Sequence, residues 1–204
     1  MLIKLAKEYC LKTHYDTGIP NGHKIEIEQG IQGAFWYDRN NIYLAFAGTN
    51  ELKDWGINLN IWGDKNYHQG IAKAHYLIRP QVWDKAIGIP LSDPSFKSKV
   101  ETTSKLTGMM NRLLLVTGYS LGGAIATLTA LDLANHGFKV YLVTFGEPRV
   151  FKRKVKIKRV KLKSYHRVAN PFDIVTYFPW GFHHLDSIKI KKFWLGNPHD
   201  LLNY

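Results

Sequence analysis

The chain has 204 residues, of which 45% are hydrophobic, 13% aromatic and 22% charged; a chain of that make-up folds around a core, which excludes a disordered tail, a coiled coil and a disulfide-stapled miniprotein. Cys10 is the single cysteine, so neither an intrachain disulfide nor a cysteine-built metal site is available. The net charge is +12, and eight basic residues (Lys152, Arg153, Lys154, Lys156, Lys158, Arg159, Lys161 and Lys163) fall in one acid-free stretch; +12 less those eight leaves +4, so the basicity is local.

Residues 1–8 alternate apolar and charged side chains and read as an amphipathic helix, without the uninterrupted apolar core of a secretory signal. The expectation is a cytoplasmic protein, released if at all by lysis or a non-classical route. No run reaches the roughly 18 apolar residues of a membrane span. Residues 31–37 and 42–47, separated by the polar Asp38, Arg39, Asn40 and Asn41, read as two strands, the second running into Gly48-Thr49-Asn50. Residues 71–87 and 96–110 show helical spacing, with Pro80 as a kink or break in the first. The short apolar run 113–116 is a strand buried on both faces, and it enters Gly118-Tyr119-Ser120-Leu121-Gly122. An Ala- and Leu-rich helix over 125–135 ends at His136-Gly137, and further strands follow at 139–145 and 165–168. Strands alternating with helices predict a mostly parallel α/β sheet with its site at the carboxyl ends of the strands. No repeat, linker or hinge divides the chain, so 1–204 reads as one domain.

Gly118 to Gly122 spell G-x-S-x-G between a predicted strand and a predicted helix. A strand that bends sharply into a helix strains the serine and needs neighbours without side chains, so that strand and helix can approach. A serine hydroxyl is a weak nucleophile and requires a histidine base that an acid orients, expected after the serine in the order acid, then histidine. Among the acids, Asp132 reads as a solvated residue of the following helix. Asp173, in a loop after the strand 165–168, is favoured, with Asp186 and Asp200 as alternatives. Of nine histidines, His14, His23, His68, His75 and His136 are set aside by chain order and His166 lies inside a strand. The base is one of His183, His184 and His199, and position favours His199, in a loop stiffened by Pro198. Adjacent His183 and His184 lack partners at metal-ligand spacing, so no metal and no cofactor is expected.

Five ordered segments carry a resemblance: Ala45-Phe46-Ala47-Gly48-Thr49, the elbow Gly118 to Ala124, Thr144-Phe145-Gly146-Glu147-Pro148-Arg149-Val150, Arg167-Val168-Ala169-Asn170 with Asp173-Ile174-Val175 and Pro179, and His199. From Ile42 onward the chain resembles the class 3 (fungal-type) lipase family. The resemblance implies an α/β-hydrolase fold, with helices on both faces of the sheet, and esterase, lipase or phospholipase chemistry on a lipid ester. It places the nucleophile on Ser120, the acid on Asp173, the base on His199, and the oxyanion hole on Thr49 and the backbone N–H of Leu121; His183 or His184 then matches a family histidine that is not the base. The chain departs from the family at Ala47, where arginine is usual, and at Phe151-Lys152, where a glycine-asparagine pair is usual. A serine hydrolase for a thioester, peptide or plant-wall ester, or a non-catalytic binding protein on the same scaffold, is the alternative.

After the oxyanion loop, Trp55, Ile57, Leu59 and Trp62 read as a lid over the acyl site, with Tyr119 as a further substrate contact. Trp55 and Trp62 read equally well as ordinary core. Residues 154–158 and 160–163 alternate charged and aliphatic side chains as in a half-buried edge strand, and Lys154, Lys156, Lys158, Arg159 and Lys161 either block pairing between molecules or face an anionic membrane. The absence of interleaved aromatic residues disfavours nucleic acid. The sequence does not set the oligomeric state.

Overall fold

The computed structural model describes residues 1–15, 22–26, 32–48, 66–109, 112–156, 161–192, 194 and 196–204. Among the described residues, seven strands form one sheet in sequence order: β1 (Gly22–Glu26), β2 (Gln32–Tyr37), β3 (Ile42–Phe46), β4 (Leu114–Tyr119), β5 (Val140–Phe145), β6 (Ser164–Ala169) and β7 (Ile188–Lys191). The first three run antiparallel and β3 to β7 are all parallel. Every residue of β4 is buried, as expected of a central strand covered on both faces.

Strand side chains alternate between two cores. Leu44, Phe46, Leu114, Val116, Val140 and Leu142 face one side, where they meet α2 (Gln69–Gln81), α3 (Phe96–Met109) and α4 (Leu121–Asn135). Tyr43, Ala45, Leu115, Val143 and Phe145 face the other, which α1 (Leu2–His14) covers through Ala6 and Cys10. Ala6, Cys10 and Thr13 are the buried residues of α1, and their spacing of four and three puts them on one face of the helix. Cys10 touches Thr117 at 3.1 Å, and burial pushes its thiol up to about 12. Helix α4 is buried on almost every side, because its small residues let it nest between sheet and α2; only Asp132 and Asn135 are not buried. Each fully buried aliphatic or phenyl side chain in these layers contributes about 1.5–3 kcal/mol.

Two expectations about elements are corrected. Helix α2 continues through Pro80, which sits in its last turn. The helix does not end at the proline: a wider π-turn, Val82–Ile87, follows it directly. The lysine-rich stretch is not an edge strand among the described residues. It makes the β5-to-β6 crossover, from Phe151, which bridges Tyr67 and His183, to Lys163, whose N–H bonds Val140 O at 2.8 Å at the start of β5. Val155 bridges Leu185, and Val155 and Leu162 pack on the core while Lys154, Lys156 and Lys161 are exposed. None of the described helices is long and apolar enough to cross a membrane.

Candidate active site

Ser120 sits where β4 turns into α4, with φ 53° and ψ −126°, the one non-glycine residue with positive φ among those described. Two glycines make that turn possible. A methyl on Gly118 would lie 2.1 Å from Gly122 O, and one on Gly122 would lie 2.2 Å from Phe46 O. Strand, helix and the end of β3 therefore meet backbone to backbone, as the steric reading of the motif requires. The Ser120 N–H bonds Phe145 O at 2.9 Å, which ties the elbow to β5.

The turn presents the serine hydroxyl to a histidine from the far end of the chain. Ser120 Oγ lies 2.9 Å from His199 Nε2, and His199 Nδ1 lies 2.6 Å from Asp173 Oδ2. A carboxylate only accepts, so Nδ1 carries the proton and Nε2 is free to accept from the serine. All three residues are buried, Asp173 to 1% exposure. Asp173 caps the short 3-10 turn Ile174–Tyr177, accepting the Val175 N–H at 2.9 Å. The Tyr204 hydroxyl donates to the same Oδ2 that receives the imidazole. Burial, and next the Asp173 charge, push the Tyr204 phenol far above its ordinary range, so it remains a donor. Gly146, with φ 56°, leaves room for this ring pair: a methyl there would lie 3.0 Å from both His199 Cε1 and the Tyr204 hydroxyl.

Tyr119, expected beside the substrate, is turned inward at 7% exposure. Its ring stacks on the His199 imidazole at 5.0 Å and its hydroxyl donates to His199 O, so it holds the base in place. Leu121 opens α4, where the first N–H groups have no carbonyl within the helix, and the positive end of the helix points at Ser120. Thr49, and Trp55, Ile57, Leu59 and Trp62, lie outside the described residues, as do Lys158 and Arg159. Gly48 is described, and its Cα position lies against the elbow: an added methyl would be 3.0 Å from Ser120 Cβ.

The rival acids and bases are engaged elsewhere. Asp132 is not solvated; it accepts from Arg79 at 2.8 and 3.1 Å and from Trp83 at 2.7 Å, joining α2 and the π-turn to α4. Asp200 caps its own 3-10 turn Leu201–Asn203, and Asp186 is exposed. His184 donates to Thr176 O at 2.7 Å, and burial, then Arg167, hold its imidazole down to about 3. His183 pairs its backbone with Phe151. Two neighbours of the site escape sequence reasoning. Tyr204 carries no motif, and His14 is set aside by chain order. The His14 ring meets Tyr119 edge-on at 5.0 Å and hydrogen-bonds the Gly48 backbone, beside the loop that leads to Thr49.

Known proteins resemble this chain in sequence and in fold. Over residues 43–182 the chain matches the family model described as lipase (class 3). It is 27% identical over 151 residues to secreted mono- and diacylglycerol lipase 1 of Fusarium solani, covering 69% of this chain and 40% of that protein. It is 27% identical over 177 residues to phospholipase A1-II 3 of Oryza sativa subsp. japonica, covering 71% and 40%. The chain thus spans about two-fifths of the length of these curated relatives. The crystal structure of Lip2 lipase from Yarrowia lipolytica superposes with a TM-score of 0.62 at 20% identity, over 98% of this chain and 82% of that one, which shows the α/β-hydrolase fold. With the matched region running from β3 through the elbow to the loop of Asp173, this chain belongs to the class 3 lipase family.

Proposed function

We propose that the chain is a serine carboxylic-ester hydrolase that acts on lipid esters through an acyl-enzyme. The observation that carries this reading is the continuous relay Ser120–His199–Asp173, at 2.9 and 2.6 Å, built on a strained elbow. In acylation Ser120 Oγ attacks the ester carbonyl carbon while its proton passes to His199 Nε2. Asp173, held by Tyr204 and the Val175 N–H, stabilises the imidazolium that results. The carbonyl oxygen becomes an oxyanion facing the Leu121 N–H, with Thr49 as the second donor in this reading; one such donor is worth about 3 kcal/mol of barrier. Collapse breaks the ester C–O bond, and His199 returns the proton to the departing alcohol. Water then attacks the acyl-Ser120 ester, with His199 taking its proton and passing it to Ser120 Oγ as the acyl C–O bond breaks, which releases the fatty acid and restores the serine.

A fluorophosphonate probe tests the reading: it labels the native chain and fails on Ser120→Ala. A panel of p-nitrophenyl esters of rising chain length, with phospholipids followed by mass spectrometry, then sets the substrate class. Labelling that survives Ser120→Ala overturns the assignment. The single continuous sheet supports treating 1–204 as one hydrolase domain. The exposed Lys154, Lys156 and Lys161, with Lys158 and Arg159 between them in sequence, support contact with anionic head groups at about 1 kcal/mol per nearby cation. Vesicle sedimentation with and without anionic lipid, at low and raised salt, tests that contact; binding indifferent to both refutes it.

A further inference from the structure

The loop that carries Asp173 exposes an unusual set of side chains. Phe172 is 70% exposed, Ile174 73%, Tyr177 40% and Trp180 76%, all within nine residues and on both sides of a catalytic-site carboxylate that is itself 1% exposed. Large apolar side chains concentrated in this way mark an interaction surface. The loop holds them outward by its own bonds. Asn170 Oδ1 accepts the Phe172 N–H at 3.1 Å, the Tyr177 hydroxyl donates to Pro171 O at 2.9 Å, and His184 holds Thr176 O at 2.7 Å. The Phe178 and Phe182 N–H groups bond Val175 O and Pro179 O. Backbone groups paired in this way are not stranded when a segment enters an apolar medium.

Charge points to the partner. Between Asp173 and Asp186 the sequence holds no charged residue, so the exposed tip is neutral. Its borders are cationic: the Arg149 N–H bonds Phe178 O at 2.7 Å, with Lys152 and Arg153 close behind in the chain, and Lys191 ends β7 beside Ala169 of β6. A neutral apolar tip bearing Trp and Tyr, with Arg149 and Lys191 at its borders, fits the boundary between anionic head groups and acyl chains.

We propose that the Asp173 loop is a fixed lipid anchor, in which Ile174 and Trp180, with Phe172 and Tyr177, enter an anionic phospholipid surface and set the active-site face against it. The anchor rests on the lipid-ester reading above and deepens it, because the element that docks is the one that holds the catalytic acid. The near end of the lysine crossover, Lys152 and Arg153, follows Arg149 in the chain, whereas its far end, Lys163, lies at the opposite end of β5.

The test uses the full chain with vesicles of phosphatidylcholine, with and without phosphatidylglycerol. Brominated lipid quenches part of the tryptophan emission in the native chain, and that part disappears in Trp180→Phe, which still binds. In the double variant Ile174→Ser, Trp180→Ser the partition falls by at least about tenfold, while turnover of a water-soluble short-chain ester is kept. Emission from Trp180 that lipid leaves unquenched, a double variant that partitions like the native chain, or a dimer of the native chain that buries Trp180 without vesicle binding, each overturns the anchor. The two readings fail separately. Unlabelled Ser120 with Trp180 still quenched removes the hydrolase and leaves the anchor; labelled Ser120 with no effect of the double variant removes only the anchor.

Discussion

Gly118→Ala tests whether the elbow geometry makes Ser120 reactive. The added methyl would begin 2.1 Å from Gly122 O, 2.4 Å from Gly122 C and 2.7 Å from Gly123 N, all backbone atoms. Ordinary contact begins at 3.4 Å, so the strand and the first turn of α4 must separate by about 1.3 Å. No side chain can swing aside to relieve this. Overpacking of that kind costs about 1–3 kcal/mol of stability, and a displacement near 1 Å at a reacting atom costs about a hundredfold in rate. Urea unfolding and steady-state hydrolysis of p-nitrophenyl butyrate read the two effects, and the loss is expected in kcat and not in KM. Gly123→Ala in the same motif is the control. Its methyl meets Glu147 Cβ at 3.2 Å and Gly118 O at 3.3 Å, a few tenths short of ordinary contact, and alanine regains about 1 kcal/mol of helix propensity. That variant is expected to fold and turn over close to the native chain. Native kcat and native stability in Gly118→Ala would refute the argument.

Tyr204→Phe keeps the ring against Phe145 and Trp194 and removes only the donor to Asp173 Oδ2; unfolding free energy should drop by about 1.5–3 kcal/mol, together with a fall in kcat, and a silent variant would show that the hydroxyl is not bonded there. His14→Ala removes the bond to the Gly48 backbone and the edge contact on Tyr119, so kcat should fall about twofold to tenfold. His14→Asn restores part of it, whereas a KM change alone would speak against a role at the oxyanion loop. His184 is held down to about 3 in the folded chain by burial and Arg167, against about 6.5 when unfolded. The folded state therefore binds fewer protons between those values, and stability is whole above pH 6.5 and falls as pH drops toward 3. At pH 5 the loss from this residue is about 2 kcal/mol. Unfolding of the native chain and His184→Gln at pH 7 and pH 5 reads it; equal losses in both chains contradict the assignment.

What was legible in the sequence follows the range over which each requirement acts. The elbow demands glycines two residues either side of a serine, because backbone meets backbone there, and that demand is written locally in Gly118 and Gly122. Chain order leaves several acids and three histidines after the elbow, and loop position favours Asp173 and His199 among them, since parallel strands deliver their loops to the same end of the sheet. The period-two pattern at residues 154–163 reports that Val155 and Leu162 pack inward, but it does not tell whether the stretch joins the sheet, and its described residues do not. The partners of buried charges were the least legible. Asp132 finds Arg79 across 53 residues, and Asp173 finds Tyr204 across 31. Any tyrosine among the eleven supplies the same hydroxyl, and only the folded chain selects one. His14 shows the limit of chain order as an argument. Order decides which histidine the elbow can use as base, because the base must reach Nε2 to Oγ. It places no restriction on a residue that touches the site from α1, on the opposite face of the sheet from α4, and acts on the Gly48 backbone and the Tyr119 ring.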